Sequence, residues 1–174
     1  MNTLIIYGSQ YGTTKRYAEK FAETTHFPIV SYKEAKALSG YNQIVYFGAL
    51  YARSIKGLKK TLKKVSPDTK LIIATVGLAD VSDKENIDKI RNLVQNQVPK
   101  QLLKNSSYFH LRGGIDYSKL NFLHKTRMKI VYNSLKNKPA ECLKQEDKGL
   151  RESYGKKVDF VDFDSLKPIL EAVR

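Results

Sequence analysis

The amino-acid sequence predicts a doubly wound α/β fold with five parallel strands, and three observations carry that prediction. Apolar, β-branched runs recur at residues 3–7, 28–31, 43–48, 71–76 and 108–112. Segments of helical periodicity separate them, so strand and helix alternate. The runs are nearly continuous rather than polar at every second position, as expected of strands covered on both faces.

The first run stops at Gly8, and the small, hydroxyl-rich bend 9–14 leads into a helix marked by Tyr17, Ala18 and Phe21. Leu58, Leu62 and Val65 make one later helical stripe; Ile87, Ile90, Leu93, Val94 and Val98 make another. Residues 117–136 read as one basic helix with two stripes. Tyr117, Leu120, Met128, Val131, Tyr132 and Leu135 form the first, and Phe122, Leu123 and Ile130 form a second, roughly opposite. Residues 137–157, rich in Lys, Gly, Pro and Glu, read as an exposed loop. Asp164 reads as the N-cap of a last helix through Leu166, Ile169, Leu170 and Val173, with Pro168 near its first turn. A chain of 174 residues with 41% hydrophobic content suits one core, so residues 1–174 are expected to form a single domain with strand order 2-1-3-4-5.

Cys142 is the only cysteine, which excludes an intrachain disulfide and favours a reducing compartment. Nothing at the N-terminus reads as a signal peptide, and no run approaches the roughly 20 apolar residues of a membrane span. The expected location is cytoplasmic, with peripheral contact at the inner face of the cell membrane as an extension. Lys and Arg number 31 against 17 Asp and Glu, a net charge of +14. Such a surface attracts nucleic acid, anionic lipid or an acidic partner. No aromatic–basic RNA signature is present, so nucleic acid is not expected. Residues 53–64 and 117–138 each carry six basic residues and no acid. In the second run the apolar stripe of Phe122, Leu123 and Ile130 adds a reason to expect an anionic membrane surface.

In a doubly wound sheet, ligands bind beyond the carboxyl ends of the strands. Ser9, Gln10, Tyr11, Gly12, Thr13 and Thr14 lie at the first such end, where a helix N-terminus offers free N–H groups to a phosphate. A plain helix cap is the competing reading. The third strand ends in Gly48, Ala49, Leu50 and Tyr51, and the fourth in Thr75, Val76, Gly77 and Leu78, with Asp80 beyond. Three such loops would cradle one flat ligand carrying a phosphate. His26, His110 and His124 lack metal-ligand spacing and no metal site is expected; His124, on the basic helix, is expected at the surface, with a place facing the site as the alternative. No catalytic side chain is assigned.

The bend SQYGTT resembles the flavodoxin phosphate loop, Ser/Thr-x-Thr/Tyr-Gly-x-Thr. The chain further resembles the flavodoxin-like, quinone-dependent protoporphyrinogen IX dehydrogenases of bacterial haem synthesis. The shared features are the opening TLI, Gly48–Ala49, the turn RGGIDYSKLN before a basic aromatic helix, and the closing KKVDFVDFDSL. Tyr11 departs from that family's loop. The resemblance implies a flavodoxin-like fold and FMN, with residues 9–14 at the phosphate and Tyr51 stacked on the ring. It also implies Ala49, Leu50, Thr75, Val76, Gly77 and Leu78 around the ring. It implies oxidation of protoporphyrinogen IX to protoporphyrin IX with a quinone as acceptor. The alternative is a soluble electron carrier that meets a redox partner protein and has no substrate of its own. Arg53, Lys56, Lys59 and Lys60 are expected near the ring, where their charge would favour the anionic, fully reduced flavin.

Overall fold

A computed structural model describes residues 2–51, 53–143 and 145–174. Strand β1 (Thr3–Gly8) is followed by helix α1 (Thr13–Thr25), β2 (Ile29–Ser31), β3 (Gln43–Tyr51) and a short β4 (Ser54–Ile55). Helix α2 (Leu58–Leu62), β5 (Lys70–Gly77), α3 (Lys84–Gln95), α4 (Lys100–Leu103) and β6 (Ser106–Arg112) complete the main body. Then come β7 (Gly114–Asp116), α5 (Phe122–Leu135), α6 (Gln145–Ser153), β8 (Lys157–Asp159) and α7 (Lys167–Ala172).

The sheet order is β2-β1-β3-β5-β6, with every neighbouring pair parallel. Counting parallel strands alone, that is the predicted 2-1-3-4-5. Side chains alternate across the pleat, and both faces bury them. Leu4, Ile6, Ile44, Tyr46, Leu71 and Ile73 pack with Leu58 and Leu62 of α2 and Ile90 and Val94 of α3. Ile5, Val45, Phe47, Ile72, Ala74 and Val76 pack on the opposite face with Tyr17, Ala18 and Phe21 of α1 and Ile169 of α7. The doubled burial explains the near-continuous apolar runs; the polar Thr75 and His110, inside β5 and β6, meet each other at 2.8 Å.

Beyond β6 the structure departs from the expectations. The single helix 117–136 is broken: Tyr117–Lys119 is a turn of 3-10 helix, and Asn121 caps α5 by accepting from the His124 N–H at 2.9 Å. Asn121 is a strong N-cap residue, so the chain restarts there. The expected loop 137–157 contains α6, which brings Tyr154 against Tyr132, rings stacked with centroids 4.0 Å apart. The last helix enters through 3-10 residues Phe163–Leu166 capped by Asp162, not Asp164, with Pro168 in the first turn of α7. The antiparallel pair β7–β8 also escaped the sequence reading. Its three-residue strands are too short for periodicity to show. Among the described residues, no helix is long and apolar enough to cross a membrane.

Candidate functional site

The order of strands reverses between β1 and β3, whose carboxyl ends open a crevice. The first wall is the bend after β1. Gly12 caps α1 with φ 99, a left-handed value that suits glycine, and a Cβ there would meet nothing within 4 Å. Ser9 Oγ accepts from the Gly12 N–H at 3.0 Å. Its hydroxyl therefore folds the bend rather than capping α1. No side chain caps that helix and its first turn holds no acid. The N–H groups of the first turn and their partial positive charge are left for an outside anion. Lys56, from the loop after β4, donates through Nζ to Gln10 Oε1 and adds a cation beside the bend.

The crevice is a cavity of about 620 Å³, within the roughly 300–1,000 Å³ of small-molecule sites. Ten of the thirteen residues expected at a cofactor line it: Gln10, Tyr11, Thr13, Thr14, Ala49, Leu50, Tyr51, Val76, Gly77 and Leu78. Three strand ends thus converge on one space. Ser9 and Gly12 form the bend behind it, and Thr75 is turned away from it. The Thr75 hydroxyl lies 2.8 Å from His110 Nδ1, and burial pushes that imidazole down to about 4.

The fourth wall was not foreseen. Gly113, Gly114 and Ile115 follow β6, and Leu120, His124, Arg127, Met128, Ile130 and Val131 come from α5 and its approach, with Leu150 from α6. The signal was present in the double glycine after the β6 run, since that strand end also faces the crevice. His124, expected at the surface, sits inside. Its ring centroid is 4.6 Å from that of Tyr51 and 5.5 Å from that of Tyr11. Tyr51 therefore rests on His124. His124 Nδ1 and the Tyr11 hydroxyl are both buried without a hydrogen-bond partner. Two such orphans on facing segments of one cavity leave polar groups for a ligand to satisfy.

The basic residues expected near the ring divide. Lys56 meets Gln10, Arg53 lines a neighbouring cavity, and Lys59 and Lys60 project from the exposed side of α2. Asp80 stands apart from the cleft and is held below the usual carboxylate range mainly by the Ser82 N–H and hydroxyl. Cys142 is free and exposed.

Residues 4–141 match the family model described as a flavodoxin domain, and the chain belongs to that family. No curated protein matches it. Among solved structures it is similar to a Bacteroides uniformis protein provisionally described as a flavoprotein, at 15% identity and a TM-score of 0.46. That match covers 64% of this chain and 90% of the other.

Proposed function

We propose that the chain is an FMN-dependent oxidoreductase. The observation that carries the reading is the convergence of three strand-end loops on one cavity beside an uncapped helix N-terminus. The first turn of α1, with Thr13, Thr14 and Lys56, would hold the phosphate. Ala49, Leu50 and Tyr51 on one side and Val76, Gly77 and Leu78 on the other would hold the ring, with Tyr51 and His124 offering aromatic faces. The bound flavin supplies the redox chemistry, which none of the chain's own side chains provides. Purified protein should quench the fluorescence of added FMN at one equivalent and show flavin absorption. A colourless protein that leaves FMN fluorescence unchanged contradicts the reading.

The substrate we propose is protoporphyrinogen IX, with a quinone as acceptor. The apolar fourth wall from α5 supports this, because a carrier without substrate does not require it. Anaerobic protein with FMN and a quinone should convert protoporphyrinogen IX to fluorescent protoporphyrin IX. Flavin that dithionite reduces and a quinone reoxidises, while protoporphyrinogen IX stays unoxidised, would favour the electron carrier.

Helix α5 also suggests where such partners are met. Phe122, Leu123 and Ile130 are 81%, 67% and 65% exposed, and Lys125, Arg127 and Lys129 share that helix. An apolar ridge flanked by cations suits the surface of an anionic bilayer. Each cation near such a surface contributes about 1 kcal/mol, screened over about 10 Å at 0.1 M salt. The protein should sediment with anionic liposomes at low salt, and much less at high salt or with neutral ones. The double change Lys125→Glu, Lys129→Glu, at two exposed positions outside the cleft lining, should weaken that binding while FMN binding persists. Equal recovery in every supernatant would make α5 a structural element only.

A further inference from the structure

Beside the cleft, and sharing Leu50, Leu78 and Leu150 with it, lies a second cavity of about 1060 Å³. The first cavity is largely apolar. Among the described residues, five Lys and Arg side chains and three carboxylates line the second.

Two of the cations are held in ways that folding alone does not require. Arg112 ends β6, and its carbonyl is fixed by the Tyr17 hydroxyl at 2.8 Å. Its guanidinium lies over the Phe160 ring, 4.0 Å from the centroid, and its Nε is buried without a hydrogen-bond partner. Buried donors are normally satisfied, so this one points to a missing acceptor. Arg53 has φ 61, a left-handed conformation that costs an ordinary residue and would not cost glycine. Strain of that kind concentrates where a side chain has work to do. The carboxylates are occupied in part. Asp80 accepts from Ser82, and Asp83 caps α3 by accepting from the Glu85 N–H.

We propose that this cavity is an anion subsite, in which Arg112 and Arg53 receive a carboxylate of a molecule whose apolar body passes Leu50, Leu78 and Leu150 into the cleft. The planar guanidinium fork matches a carboxylate in a bidentate pair. The three resident carboxylates oppose a doubly charged group, which favours carboxylate over phosphate. That this ligand is the reacting molecule rests on the flavin reading; its binding does not.

Fluorescence titration with pyrenebutyrate and with neutral pyrenebutanol tests the subsite, since the two differ only at the charged end. The native protein should bind the carboxylate at least about tenfold more tightly, as a charge-assisted pair implies. Arg112→Gln and Arg53→Gly should each bring the ratio toward one, and Arg112→Lys should restore part of it. Arg53→Gly suits the left-handed backbone while removing the charge, and an unchanged melting midpoint separates loss of the charge from misfolding. Equal binding of both probes by native protein, or an unchanged ratio in either variant, would overturn the subsite. So would displacement of pyrenebutyrate by inorganic phosphate at concentrations where sodium chloride of equal ionic strength has no effect. FMN absorption is read in the same samples. Its absence throughout counts against the flavin reading alone, and the probe ratio still judges the subsite.

Discussion

Replacing Gly8 with alanine is expected to cost about 3 kcal/mol or more, at the upper end of what overpacking does. The added Cβ would lie 2.0 Å from the Lys56 carbonyl oxygen and 2.9 Å from the Tyr46 hydroxyl. No rotamer relieves that overlap, because the oxygen belongs to the backbone. Gly8 itself is pinned opposite Gly48 in the β1–β3 ladder. The carbonyl is in turn the acceptor for the buried Tyr46 hydroxyl, whose ionisation burial pushes up. Something must move, and the segment that moves carries Lys56 away from Gln10. At about 2–4 °C per kcal/mol for a chain of this size, the midpoint of thermal unfolding should fall by about 6–12 °C. FMN affinity should fall with it. Gly149→Ala is the matched control: nothing lies within 4 Å of its Cβ position, and it sits inside α6. There alanine should gain about 0.5–1 kcal/mol. A Gly8→Ala protein that melts within a degree of the parent would refute the close approach of the Lys56 loop to β1.

Packing of this kind marks the limit of what the sequence discloses. Ile5 and Ile6 face opposite sides of the sheet, and both are fully buried. That doubled burial is legible as an unbroken apolar run, so the order of layers could be read directly. The bend after β1 was legible as glycine and small hydroxyl residues at a strand end, a pattern that serves a helix cap as well as an anion. Tyr117 to Leu135 was not. An apolar stripe measures periodicity, and the periodicity of residues 117–136 continues across the break. What breaks the helix is local: Asn121 accepts the His124 N–H and restarts the chain. The inward turn of His124 was equally hidden, because it depends on Tyr11 and Tyr51, which are distant in sequence and adjacent only once β1 and β3 pair. Residues 137–157 looked like loop by composition, yet α6 supplies Leu150 to both cavities. Intrinsic propensity is weak there, and the Tyr132–Tyr154 stack shows the tertiary contact that accompanies the helix.

Gly12→Val should raise the dissociation constant for FMN by about a hundredfold or more, equivalent to about 2.8 kcal/mol. Two effects separate cleanly at this residue. The first is backbone strain: a β-branched side chain at φ 99 is disfavoured, at about 1–2 kcal/mol, or about 2–8 °C in the unfolding midpoint. The second acts on the ligand alone. The Cβ position of Gly12 meets no protein atom within 4 Å, so a valine at this N-cap stands in open space at the end of α1 rather than against the protein. An anion drawn to the first-turn N–H groups would be held off by the width of a side chain, and its attraction falls steeply with distance. Gly12→Asn distinguishes the two effects, since asparagine tolerates the left-handed region. It should melt close to the parent and still bind FMN about tenfold more weakly. Riboflavin, which lacks the phosphate, supplies the other arm. If the bend holds the phosphate, riboflavin affinity should barely change in either variant while FMN affinity drops. Equal losses for both flavins would mean that Gly12 acts through the fold. Unchanged FMN affinity in Gly12→Val would remove the phosphate from this bend altogether.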